Sequence, residues 1–317
     1  MRTLKVIFAL AALAILPGQT LRPEMFPPDI VFNLPRLPVR AHPQGAEGEF
    51  HRQQAWLVPT PDSAKLARAF LYRPPGDGPF RLAVIAHAST ENPIRRAQAP
   101  EPEYRALAAF LVARGFAVLV PERLGHGATG GSYFEGQGDC EHPDYDNAGR
   151  ETGKQIAIAV QALRRQAFVL NDGAVVIGHS AGGWGALAVA GRELSGVASI
   201  IVFAAGRGGH ADNTSGKVCA PEMLIKTAEQ YGGAARIPVT WLVADNDSYF
   251  PPVLSQDMAE AFRRGGGKVS FIVLPAVGSE GHAMAETEEG VNIASRELDR
   301  ALNAPGQATA KKTIAKP

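Results

Sequence analysis

Short unbroken apolar runs alternate with amphipathic stretches from Arg52 onward. Gln54–Val58 and Lys65–Tyr72 read as two antiparallel strands joined by a turn at Pro59–Asp62. Arg81–Ala86 (RLAVIA), Phe116–Val120 (FAVLV), Gly173–Ile177 (GAVVI), Val197–Phe203, Val239–Val243 and Val269–Leu274 show little polar alternation, the pattern of strands covered on both faces. Helical stretches fall between them at Glu103–Arg114 (ended by Gly115), Asn147–Gln166, Ala181–Arg192 and Pro252–Arg264, with a last one within Glu286–Asn303. Repeated strand–helix–strand units predict an α/β domain over residues 50–303. Its sheet is expected to be mostly parallel, with about eight strands and helices on both faces. In such sheets ligands bind beyond the carboxyl ends of the strands, so the chemistry is expected in the loops that follow them. The segment Gly206–Arg236 is too short for a large cap domain.

The two ends have other patterns. Arg2 and Lys5 precede the apolar run Val6–Leu16, which is too short for the ~20 residues a bilayer-spanning helix needs and is broken by Pro17-Gly18. Residues 1–20 are therefore expected to be an export signal, and the mature protein periplasmic or secreted, with no stable membrane insertion. Residues 21–49, with Pro23, Pro27, Pro28, Pro35, Pro38 and Pro43, read as a proline-rich arm, and 304–317 as a flexible polar tail.

Composition narrows the function classes. The chain has 317 residues, enough to bury a large core without staples. Lys plus Arg is 32 against 31 for Asp plus Glu, so no general basic field exists to hold nucleic acid. Two cysteines exclude a zinc ribbon or a disulfide-built miniprotein.

The most informative segment is Gly173–Gly183, GAVVIGHSAGG. A buried strand ends in Gly178-His179-Ser180-Ala181-Gly182 and a helix of small residues begins at once, which is G-x-S-x-G at a strand-to-helix turn. Ser180 there must adopt a strained backbone, and the positions two before and two after it approach so closely that only very small residues fit. Acyl transfer also needs donors aimed at the developing oxyanion. One is expected to be the N–H of Ala181. The other is expected in the His87-Ala88-Ser89-Thr90 turn after RLAVIA, from either Ala88 or Ser89, with His87 bracing the turn.

A serine hydroxyl needs a base. Of eight histidines, only His210 and His282 follow Ser180, and only His282, in Gly278-Ser279-Glu280-Gly281-His282, also follows the WLVADND strand. The acid is Asp245 or Asp247 in Ala244-Asp245-Asn246-Asp247; Asp247 lies further out, before the turn Ser248–Pro252, and is the better placed to reach His282. Export into an oxidising compartment favours pairing of Cys140 and Cys219, which sit in loops on either side of the serine-bearing strand. Asp139, Glu141, His142, Asp144 and Asp146 read as a solvated acidic loop rather than a metal site, and no cofactor or metal is called for. Arg207, at the binding edge of the sheet, is a candidate partner for a substrate carboxylate.

These residues resemble the α/β-hydrolase fold and, within it, the dienelactone-hydrolase-like branch, over roughly Arg52–Ala301. Pro121–Gly131 (PERLGHGATGG) is similar to the G-H-G…G loop of many α/β-hydrolases, and Ala244–Asp247 followed by Phe250-Pro251-Pro252 to the acid loop of that branch. The resemblance implies Ser180, Asp247 and His282 as a triad. It departs from the branch in having serine where dienelactone hydrolases use cysteine, and His-Ala where His-Gly is usual. The expected function is a serine hydrolase cleaving a small-molecule carboxylic ester or lactone through an acyl-enzyme. The alternatives are a peptidase or amidase of the same fold, or a non-catalytic binding module on this scaffold.

Overall fold

The apolar runs become the interior of one sheet. In the computed structural model, which describes residues 39–190 and 196–303, the strands are β1 (His42–Gln44), β2 (Gln54–Pro59), β3 (Leu66–Tyr72), β4 (Arg81–Ala86), β5 (Phe116–Pro121), β6 (Ala174–His179), β7 (Val197–Phe203), β8 (Val239–Ala244) and β9 (Val269–Leu274). The helices are α1 (Pro93–Ala97), α2 (Arg105–Val112), α3 (Tyr145–Leu163), α4 (Ala181–Ala190), α5 (Pro221–Ala234), α6 (Pro252–Gly265) and α7 (Glu288–Leu302). The expected signal over 1–20, most of the arm and the tail 304–317 lie outside the described residues.

The strands run in the order β1-β2-β3-β5-β4-β6-β7-β8-β9. β1, β2, β3 and β5 pair antiparallel, and β5 through β9 pair parallel. β1 adds a ninth strand to the eight read from the sequence: the end of the proline-rich arm pairs with β2, placing Pro43 opposite Trp56. An outermost strand tolerates a proline because its missing N–H faces no partner.

Burial on both faces explains the unalternating runs. In β4, Leu82, Val84 and Ala86 enter one core layer while Ala83 and Ile85 enter the other. β6 does the same with Ala174 and Val176 against Val175 and Ile177. α3, α4, α5 and α6 cover the first layer, and α2 and α7 the second. Local capping sets helix starts: Asp144 accepts from the N–H of Asn147 at 2.9 Å to open α3, and Thr287 from Gly290 at 3.1 Å to open α7. Asp139 likewise accepts the N–H groups of Glu141 and His142, so the acidic loop spends these carboxylates on its own backbone. Among the described residues no helix is long and apolar enough to cross a membrane.

Candidate active site

β6 lies between β4 and β7, so the loops leaving β4 and β7 flank its carboxyl end. Ser180 follows β6 directly and has φ +53°. An L-residue there costs roughly 1–2 kcal/mol, a strain that clusters at functional sites. Its N–H donates to Phe203 O and its carbonyl accepts from Trp184 N, both at 2.9 Å, which ties the turn to β7 and to α4. The small-residue requirement is visible in the spacing. A Cβ on Gly178 would lie 2.5 Å from Gly182 O, and one on Gly182 would lie 2.1 Å from Ala86 O. Ala181 opens α4, where the first N–H groups have no partner within the helix.

His282 lies in a short helical turn, Gly281–Ala285, after β9. Its Nδ1 is 3.2 Å from both carboxylate oxygens of Asp247. A carboxylate only accepts, so Nδ1 donates and the neutral ring keeps Nε2 as an acceptor. Asp247 is itself held by the N–H groups of Tyr249 (2.8 Å) and Phe250 (2.9 Å). Asp245 is exposed, with its N–H donating to Leu274 O. Of the two aspartates, Asp247 is the one against His282.

Further groups fix the loop that carries His282. Glu280 accepts from the N–H of His282 at 2.9 Å and from that of Ser248 at 3.2 Å, and the Ser248 hydroxyl donates to it as well. The Tyr249 ring stacks on His282 at 4.3 Å and on His210 at 3.6 Å. His210 therefore packs beyond Tyr249 as the outer ring of this stack. Burial, opposed by Asp247 and reinforced by His179, holds His282 below the ordinary imidazole value of 6.5.

The turn after β4 distinguishes its two candidate N–H groups. The Ala88 N–H donates to the Tyr104 hydroxyl at 3.1 Å, so the expectation for Ala88 is corrected: that group is already spent. Of the two, Ser89 keeps a free N–H, and its hydroxyl lies 2.7 Å from His126 Nε2. His87 braces the turn. Its Nδ1–H donates to Ala88 O (2.6 Å), its Nε2 accepts from Arg123 N–H (3.1 Å), and burial with the nearby Arg123 charge keeps it neutral. A cleft of about 490 Å³ abuts this turn, lined by Ala88, Ser89, Tyr104, His126 and Glu286 among others.

Arg207 is a second correction. It is 4% exposed, and both terminal nitrogens are occupied: Nη2 by Glu135 (2.9 Å) and Thr152 (2.8 Å), Nη1 by Glu91 (3.1 Å) and Tyr133 (2.9 Å). It ties the loop after β7 to the loops after β4 and β5 instead of waiting for a substrate carboxylate. The signal missed was its set of partners, which lie 55 to 116 residues away in sequence.

Cys140 and Cys219 form a disulfide across 79 residues, joining the loops that leave β5 and β7. The Tyr145 hydroxyl donates to the Cys219 carbonyl from α3, and the Cys219 N–H donates to Gly208 O, beside Arg207. Reduction is expected to lower unfolding stability by up to ~4.5 kcal/mol on the chain-entropy account, measured by urea titration with and without reductant.

Comparison with known proteins fits this arrangement. No curated protein matches the sequence. An esterase from Pyrococcus furiosus superposes with a TM-score of 0.55 at 15% identity, over 82% of this chain and 99% of that one. A cold-adapted esterase from an Arctic intertidal metagenomic library gives 0.53 at 15% identity, over 82% and 99%. A puromycin-hydrolysing peptidase from Mycobacterium tuberculosis gives 0.52 at 14% identity, over 80% of this chain but 39% of that one. At such identities these likenesses establish the α/β-hydrolase fold. The dienelactone hydrolase family matches the sequence itself over residues 100–307. With about two thirds of its length so matched, the chain belongs to the dienelactone hydrolase family and is a hydrolase.

Proposed function

We propose that the protein is a serine esterase, exported to an oxidising compartment, that cleaves small carboxylic esters or lactones. The observation that carries this reading is Ser180 held at positive φ on the turn into α4, with the His282–Asp247 pair brought to the same sheet edge. In the proposed reaction His282 Nε2 takes the Ser180 proton as Oγ attacks the carbonyl carbon. The oxyanion is received by the N–H groups of Ala181 and Ser89. The protonated ring then gives its proton to the departing alkoxide, leaving an acyl-enzyme, which water cleaves by the same sequence in reverse roles. Asp247 holds the ring's tautomer throughout. Among the described residues no hydrogen bond joins the Ser180 hydroxyl to His282, and such contacts commonly tighten only in the substrate complex. Export is supported by the apolar leader and by the Cys140–Cys219 bridge.

The test is labelling with a fluorophosphonate, expected at Ser180 and located by peptide mass spectrometry. A protein inert to the probe and to a panel of aryl esters, yet able to bind them, would be a binding module. Faster turnover of aminoacyl amides than of esters would favour the peptidase reading.

The pH dependence follows from the position of His282. Because its imidazole titrates below 6.5, the acid limb of kcat/KM is expected to centre below pH 6.5. A pH–rate profile of the free enzyme whose acid limb centres above 6.5 contradicts this.

A further inference from the structure

We infer that His179, Tyr104 and Glu286 form one positioning unit that sets the oxyanion turn and the base loop at fixed distances from the nucleophile; this rests on the serine reading above. His179, the residue before Ser180, is 2% exposed, and its ring reaches the base loop. Its Nε2 lies 2.7 Å from the backbone carbonyl of His282. A carbonyl only accepts, so Nε2 carries a proton and donates. On its other side Nδ1 lies 2.8 Å from the Tyr104 hydroxyl and 3.1 Å from Glu286 Oε1. The same hydroxyl accepts the Ala88 N–H that fixes the oxyanion turn.

Three segments thus meet at this unit. His179 belongs to the strand end that carries the nucleophile, its ring bonds the loop that carries His282, and through Tyr104 it is linked to the turn that carries Ser89. Two further observations mark it as more than packing. Tyr104 stands at φ +48°, a bulky residue in the left-handed region, where it is the residue preceding α2. Such strain persists only where surrounding contacts over-determine it. Glu286 sits in the turn that follows His282 and forms part of the wall of the 490 Å³ cleft, together with Ala88, Ser89 and Tyr104. The unit takes no part in bond making. It acts through the placement of groups that do, and a misplacement near 1 Å can cost on the order of 10²-fold in rate.

The experiment uses the full chain with Tyr104→Phe, His179→Leu, His179→Gln, Glu286→Gln and Ser180→Ala, measuring kcat, KM, the rate of fluorophosphonate labelling and the thermal midpoint. Tyr104→Phe and His179→Leu are expected to lower kcat and labelling rate by about 10- to 100-fold, with KM within about twofold. His179→Gln, whose amide nitrogen can still donate to the His282 carbonyl, is expected to recover at least about a tenfold part of the loss. Glu286→Gln alters a half-exposed side chain and supplies the test of the unit in a folded protein even where His179→Leu fails to fold. Its kcat is expected to fall at an unchanged midpoint. Wild-type kcat in Tyr104→Phe and Glu286→Gln, beside an inert Ser180→Ala, would overturn the unit. Losses that track the thermal midpoint alone would overturn it too. Ester turnover by Ser180→Ala would instead overturn the serine reading, and the unit's role with it.

Discussion

Ser180→Ala is expected to lower kcat by about 10³-fold or more and to abolish fluorophosphonate labelling, while leaving the thermal midpoint close to that of the parent. The size follows from the roles assigned around it. Without Oγ, neither His282 nor the two backbone donors have an intermediate to act on, and only water attack inside a partly organised site remains. The fold should not suffer, because the turn at 180 is held by the backbone bonds to Phe203 and Trp184, which alanine keeps. The φ of +53° costs alanine about what it costs serine. Steady-state kinetics with an aryl ester and calorimetry on the same sample check both halves. A variant that kept most of its activity would show that the nucleophile lies elsewhere.

The second large effect concerns stability. Glu135, with no exposed surface, accepts from Arg123 Nε (2.6 Å), Arg207 Nη2 (2.9 Å) and Gln155 Nε2 (2.8 Å). Burial opposes its ionisation, but the two guanidiniums outweigh it and hold the carboxyl far below its usual 4.5. Glu135→Ala leaves both cations buried and facing one another. Breaking a buried pair in this way typically costs about 3–5 kcal/mol, because Arg123 loses its carboxylate while Arg207 keeps only the pair with Glu91 at its outer end. The pH sign is fixed by the direction of the shift. A carboxyl lowered on folding contributes fully above the unfolded value near 4.5, and that contribution is lost as pH falls below it toward the folded value. Wild-type stability should therefore drop on acidification below about 4.5 more steeply than that of the variant. Urea titrations of both proteins from pH 7 to pH 3 measure it, and parallel curves would rule out the assignment.

Much of this organisation was legible in the sequence because burial on both faces leaves a strong mark. The runs RLAVIA, FAVLV and GAVVI have nowhere to go but the middle of a sheet covered on both faces, and β4, β5 and β6 lie there. The turn at Ser180 was legible because local geometry dictates its neighbours: only glycine fits at 178 and 182, and the loop of His282 was expected after the last strand, where it lies. Other features left weaker marks. β1 has only partly buried or exposed side chains and contains a proline, so no alternation announces it. α5 follows the glycines and polar residues of 206–217, which hid it within a loop. The fates of Arg207 and Ala88 depend on partners far away in sequence, and no local pattern encodes that a guanidinium is already bonded or an N–H already spent. Tyr104 and Glu286 escaped for the same reason, although His179 stood inside the motif itself as the residue before the serine.

The strand order has a consequence for the life of the chain before it is complete. Ser180 follows the central strand β6, but His282, its proposed base, lies beyond β7, β8 and β9, in the loop after the last. A chain still being synthesised therefore carries the proposed nucleophile without its proposed base. On the proposed reading, hydrolytic power switches on only at the end of assembly. That order turns a simple colour-forming assay into a report on whether the final third of the molecule has found its place.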